Sequence, residues 1–207
     1  MIQLLFLMVL ILAVPPVFGQ DADRVLKPVI EVGDRWTYRG VNMLGPGSEE
    51  YDIQVVNIDK GLMQVVCTRK RDGREFDGVY TEEWSASTSC SGFIQKPPPR
   101  FLRFPLVPGV SYPIKYISHR ARAHTHTSSV EGSVEVKGWE TITVPAGRFR
   151  VMRIEATMDV SQPDGTGQRR RSTIWYSPEA RATVKIENYA RGGDTFESEL
   201  LSYKLVE

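Results

Sequence analysis

From residue 33 onward, apolar and polar side chains alternate with a period of two along nearly the whole chain. Arg35-Trp36-Thr37-Tyr38-Arg39 opens the series behind a Gly33-Asp34 turn, and Tyr51, Ile53 and Val55 then alternate with Asp52 and Gln54. A turn at Asp59-Lys60-Gly61 leads to Met63, Val65 and Cys67, which reads as a hairpin with glycine where a positive φ is wanted. Arg71-Asp72-Gly73 turns the chain again, into a segment ending at Trp84. Further on, Val130, Val134 and Val136 alternate with Glu131, Ser133 and Glu135, and Gly132 falls on the apolar side. Met152, Ile154, Ala156 and Met158 repeat the pattern, as do Ala182, Val184 and Ile186. In the closing segment the apolar parity shifts between Phe196 and Leu201, which predicts a bulge near Glu199.

No stretch after the first twenty residues carries the i, i+3, i+4, i+7 stripe of an amphipathic helix. Strands with one apolar and one charged face belong to antiparallel sheets, not to βαβ units. The pattern therefore predicts an all-β domain over 33–207. It is a single curved antiparallel sheet of roughly eight to eleven strands, forming a half-barrel or a partly closed barrel.

Two stretches break the alternation. Lys96-Pro97-Pro98-Pro99-Arg100-Phe101-Leu102-Arg103-Phe104-Pro105-Leu106-Val107-Pro108-Gly109 cannot supply ladder donors, so no central strand passes there. Its apolar residues either cover the open side of the sheet as a crossover loop or face outward as a binding surface. A peptide for a proline-recognising domain is a third reading, at odds with an extracytoplasmic chain. The second break, Thr143-Val144-Pro145-Ala146-Gly147-Arg148-Phe149, joins two alternating runs. Proline suits the second position of a type I turn, and Gly147 at positive φ closes a three-residue hairpin loop with a bulge. No side chain in that turn titrates near neutrality or binds metal, so it reads as architecture.

The chain begins MIQLLFLMVLILAVPPVFGQ, with an apolar run from Leu4 to Val14 followed by two prolines. Such a run at 1.5 Å per residue covers about half of a ~30 Å hydrocarbon core, too short to span. Residues 1–19 therefore read as a secretory signal cut after Gly19, leaving a short extension at 20–32, although no Lys or Arg precedes the run. A retained anchor is the competing reading. Export places the chain in the periplasm or outside the cell. There a Cys67–Cys90 disulfide becomes plausible chemistry, closing a loop of about 24 residues; separate thiols are the alternative.

Charge is balanced, with 26 Lys and Arg against 25 Asp and Glu, which gives no general reason to bind nucleic acid. One local exception is Arg169-Arg170-Arg171, behind the loop tip Pro163-Asp164-Gly165. These arginines are either a solvated strand entrance or a contact for anionic lipid headgroups or an acidic partner. The three histidines lie within eight residues, and His124 and His126 would share one side of a strand about 6.5 Å apart, compatible with one zinc ion. His119 has the opposite parity, and Arg120 and Arg122 oppose a cation there. Edge or solvated histidines are the plainer reading. Nothing in the chain resembles a phosphate-cradling loop, a nucleophile elbow around Ser85, Ser87 or Ser89, or a cofactor motif.

Aromatic residues are heavily loaded onto the strands. Most read as core or cross-strand pairs. In an incompletely closed sheet, Trp84, Phe101, Phe104, Trp175 and Tyr203 would line an apolar groove for a lipid or other hydrophobic ligand.

Taken together, Val144-Pro145-Ala146-Gly147-Arg148-Phe149, Ser172 to Glu187, Gly33 to Arg39 and Glu199-Leu200-Leu201-Ser202-Tyr203 resemble uncharacterised exported bacterial proteins of the DUF3108 type. The resemblance implies a curved antiparallel sheet, with a weaker similarity to the half-barrels of periplasmic lipoprotein carriers, and no known activity. The leading expectation is an exported, non-enzymatic protein that binds a hydrophobic ligand or an envelope component. The alternatives are a metal-dependent enzyme built on His124 and His126, and a structural or interaction domain without a cavity.

Overall fold

In a computed structural model, the protein is described over residues 23–41, 47–121, 123–190 and 195–207, with the side chains of 123–126 and 195 excluded. The expected signal segment 1–19 lies outside the described residues.

Among the described residues, twelve strands follow one another in an up-and-down meander. They are β1 (Arg35–Val41), β2 (Ser48–Asp59), β3 (Leu62–Arg69), β4 (Glu75–Thr81), β5 (Ala86–Thr88), β6 (Phe93–Lys96), β7 (Ser111–Arg120), β8 (Ala123–Val144), β9 (Gly147–Ser161), β10 (Gly167–Ser177), β11 (Ala182–Ala190) and β12 (Thr195–Lys204). Each pairs antiparallel with the next, and β1 also pairs with β12, so the sheet closes into a barrel. Closure removes the sheet edges that a half-barrel would leave open.

The strand count exceeds the expectation because β5 and β6 are short. Val79 and Tyr80 pair across to Thr88 and Ala86, and Thr88 pairs with Ile94. The segment expected to run to Trp84 ends as a strand at Thr81, and Trp84 sits in the following turn at φ 60°. Its amide N–H donates to the Thr81 carbonyl at 2.9 Å, while the Thr81 hydroxyl accepts from the Ser85 N–H at 3.2 Å. The bulge in β12 falls at Leu201, two residues beyond the expected place, because Thr37 faces Ser202 while Tyr38 faces Leu200.

In a meander the connections alternate between the two barrel ends. The turns at 60–61, 82–85, 145–146 and 178–181 share one end with the segment 97–110, the approach to β1 and the chain's last residues. The proline-rich segment crosses this end and packs inward: Leu102 and Leu106 are buried with Tyr112, Ile114, Met152 and Tyr176. It is thus a cover, and Val25 adds a short antiparallel bridge to its Leu106. We call this the strap end.

The buried apolar residues among those described form two clusters. The first gathers Trp36, Tyr38, Tyr51, Val55, Met63 and Leu200, among others; the second gathers Val134, Val136, Met152, Ile154 and Tyr176, and Trp84 packs against both. The β8–β9 hairpin contributes to each. Lys137 is an extra residue on β8, since Val136 faces Ile154 and Gly138 faces Arg153. Beyond that point Val144, Phe149 and Val151 join the first cluster, whereas Met152 and Ile154 belong to the second.

At the hairpin tip Val144 pairs with Gly147, so the loop holds two residues, Pro145 and Ala146, where three were expected. Gly147 does take a positive φ of 137°. The two-residue loop leaves the Ala146 N–H free to donate to the Leu200 carbonyl at 3.0 Å, which docks the tip on β12.

Candidate functional site

Register brings a ring of aromatic side chains to one place in the barrel. Tyr38 on β1 faces Tyr51 on β2, their rings stacked with centroids 5.7 Å apart. Tyr80 on β4 and Trp84 in the next turn approach edge-on at 6.0 Å. With Ile53, Thr183, Lys185, Ile186 and Ser198 they line a partly open pocket of about 160 Å³.

The polar atoms of this wall are already engaged. Tyr38 Oη donates to the Thr183 carbonyl at 2.9 Å, Tyr51 Oη and Ser198 Oγ lie 3.0 Å apart, and the Cys90 N–H donates to Tyr80 Oη at 3.4 Å. Burial, which disfavours the phenolate, pushes the Tyr38, Tyr51 and Tyr80 hydroxyls above their usual range. The cage is therefore uncharged near neutrality apart from Lys185 at its border, whose ammonium is 2.9 Å from Glu187 and 3.4 Å from Glu199. Such walls present rings and methyl groups, not an acid or base for proton transfer.

Size decides what could fit. An apolar cavity of ~150 Å³ holds a molecule such as benzene, whereas drug-sized ligands need some 300–1,000 Å³. A second groove of about 310 Å³ lies at the strap end, between Arg103, Phe104, Pro105, Val107, Val110 and Tyr112.

The aromatic residues have a second task that residue spacing does not reveal. β11 and β12 are paired only from Lys185–Glu199 to Tyr189–Thr195. Below that seam the carbonyls of Ala180, Arg181 and Thr183 accept from Trp36 Nε1 at 2.7 Å, Trp84 Nε1 at 2.9 Å and Tyr38 Oη at 2.9 Å. A buried indole N–H must find an acceptor, and that requirement is the signal that could have flagged Trp36.

The residues expected to form one apolar groove are dispersed. Trp84 lines the cavity, and Phe104 lines the strap-end groove while meeting Tyr176 edge-on at 5.2 Å. Phe101 packs against Tyr116 at 6.3 Å. Trp175 lies on the face of β10 opposite Ile174 and Tyr176; its indole donates to Glu140, and Lys185 Nζ sits 5.5 Å above the ring. Tyr203 leans on Phe149 and donates to Glu179 at 3.0 Å. The cavity walls that went unrecognised, Tyr51, Tyr80 and Ile186, come from β2, β4 and β11, strands far apart in sequence.

The side chains of His124 and His126 lie outside the described residues. His119, on β7, faces Thr127 on β8. Among the described residues no group of three His, Cys, Asp or Glu side chains is placed to hold a metal ion. Cys67 and Cys90 form the expected disulfide, with Cα atoms 6.0 Å apart. Arg169, Arg170 and Arg171 start β10 at the end opposite the strap, all exposed, and Arg169 Nε is 3.0 Å from Asp159.

No family model and no curated protein matches the chain. Solved structures do resemble it in fold. A candidate exported protein with a YmcC-like fold from Bacteroides fragilis is 15% identical with a TM-score of 0.58, over 87% of this chain and 99% of that one. A candidate lipoprotein from Parabacteroides distasonis gives 14% identity and 0.58 over the same shares. The hypothetical lipoprotein YmcC from Escherichia coli K12 gives 10% and 0.52, over 84% of this chain and 86% of that one. At these identities the likeness establishes a shared barrel fold, and the finer DUF3108 resemblance has no family-model match behind it.

Proposed function

We propose that the protein is an exported, non-catalytic barrel that binds a small apolar ligand in the cage formed by Tyr38, Tyr51, Tyr80, Trp84 and Ile186. The observation that carries this reading is an aromatic-walled pocket of about 160 Å³ set against the first apolar cluster. Its wall hydroxyls are bound to the protein itself, so ring faces are what the ligand meets. The leader-like start, the disulfide and the fold shared with proteins described as exported or as lipoproteins support an extracytoplasmic address. Benzene, toluene and indole are suitable probes, read by amide chemical-shift changes. Binding should shift resonances of β1, β2 and β4 around Tyr38, Tyr51 and Tyr80, and Ile53→Phe, which fills the space, should abolish the shifts. If no probe perturbs these resonances in a folded sample, a structural or interaction role without a ligand is the better reading.

A further inference from the structure

We infer that the strap end of the barrel rests on the surface of a phospholipid bilayer, with Leu26, Val29, Val32, Leu62 and Val110 entering the interface. These side chains are open to solvent in the isolated chain: Leu26 is 64% exposed, Val29 71%, Val32 53%, Leu62 43% and Val110 46%. Single exposed apolar residues are ordinary on any surface; their gathering at one end is not. At or near the opposite end the large exposed apolar residues among those described are Ile117 and Tyr189, on separate strands.

Short contacts hold the segments that carry these five residues at the barrel mouth. Val25 bridges Leu106, and the Val110 N–H donates to the Val107 carbonyl at 3.2 Å. Lys27 pairs with Glu82, whose N–H reaches the Gly61 carbonyl beside Leu62 at 3.4 Å. The Gly33 N–H next to Val32 donates to Val55 on β2 at 2.9 Å. The rim is thus built from two straps and a turn held against the barrel mouth.

Two further features select a lipid surface. First, the leader-like run Leu4–Val14 precedes the rim, and residues 15–22 between them reach at most about 28 Å when extended, so until the cut after Gly19 a membrane holding that run lies within reach of this end. Second, acids and bases are mixed at this end, Lys27 paired with Glu82 and Arg100 with Glu83 at 2.9 Å beside Glu31, Asp59, Lys60 and Arg103. Insertion of apolar side chains therefore carries the contact, not attraction to anionic lipid, and zwitterionic phosphatidylcholine suffices. Arg103, its guanidinium 5.8 Å over the Tyr112 ring, borders the strap-end groove and can donate to a headgroup phosphate.

The test uses the protein recovered from the exported fraction, its N-terminus read by mass spectrometry, with phosphatidylcholine vesicles. Val29→Trp should shift to the blue on mixing and be quenched by brominated acyl chains, and Tyr189→Trp at the far end should do neither. Leu26→Ser with Val29→Ser and Val32→Ser should lower vesicle partitioning at least tenfold while circular dichroism stays unchanged. Equal quenching at both ends, partitioning indifferent to the triple change, or a self-associating chain whose dimer the triple change dissolves would each overturn the inference. The last outcome would assign the rim to a second copy of the chain. A failed ligand cage leaves this result untouched, because none of the substituted residues lines it.

Discussion

Two buried tyrosines of this barrel should respond in opposite directions to loss of their hydroxyls. Tyr38 Oη satisfies the Thr183 carbonyl in the seam where β11 and β12 have parted, so Tyr38→Phe strands a buried acceptor and should cost about 1–2 kcal/mol. Tyr176 is fully buried, and its hydroxyl has no hydrogen-bond partner among the described residues. Removing that hydroxyl removes a desolvation penalty, so Tyr176→Phe should be neutral or stabilising by up to about 1 kcal/mol. Urea unfolding of both variants checks the contrast. Sequence marked these tyrosines only as aromatic strand residues, because a hydroxyl's partner depends on which carbonyl the barrel brings across.

At the scale of elements, two glycines matter for different reasons. Gly147 adopts a φ of 137°, and an added Cβ would meet nothing nearer than the Phe149 ring at 3.9 Å, so Gly147→Val acts through backbone strain and should cost roughly 1–2 kcal/mol. Gly132 on β8 has no room: a Cβ there would stand 2.1 Å from the Thr157 carbonyl oxygen on β9. Gly132→Ala must push two strands apart and should cost about 3 kcal/mol, above the Gly147 effect. Thermal unfolding of the pair ranks them. The turn glycine was legible from its proline-containing hairpin; Gly132 was visible only as an interruption on an apolar face, since the approach of β9 is a property of the pairing. The short β5–β6 region, held by few ladder pairs, shows the same division. Cys67 ties it to β3, and replacing both cysteines by serine should destabilise the barrel by about 3 kcal/mol on the loop-entropy estimate.

The whole molecule should be sensitive to alkali. Tyr38, Tyr51, Tyr80, Tyr112, Tyr116 and Tyr176 are all buried enough for desolvation to raise their hydroxyls, Tyr112 and Tyr116 to about 12. In the unfolded chain the same groups ionise near 10. Above pH 10 the unfolded state therefore holds fewer protons than the folded one, and stability falls as pH rises from 10 toward 12. Below pH 10 these groups leave stability unchanged. Tyrosinate absorbance should consequently appear late and together with loss of β-sheet circular dichroism, instead of in independent steps near pH 10.

What the sequence by itself determined was the local alphabet: strands from a period of two, turns from Gly and Pro, an all-β antiparallel sheet, and a disulfide consistent with export. Those follow from neighbours in the chain, whose backbone preferences and alternating burial act over a few residues. Tertiary structure alone decided closure of the barrel, the bulges at Lys137 and Leu201, the inward packing of the proline strap, and the distribution of the aromatic residues among cage, groove and the two faces of β10. Those outcomes depend on register between strands distant in sequence. A shift of one residue in that register exchanges the two faces of a strand, so no local pattern could settle which rings meet.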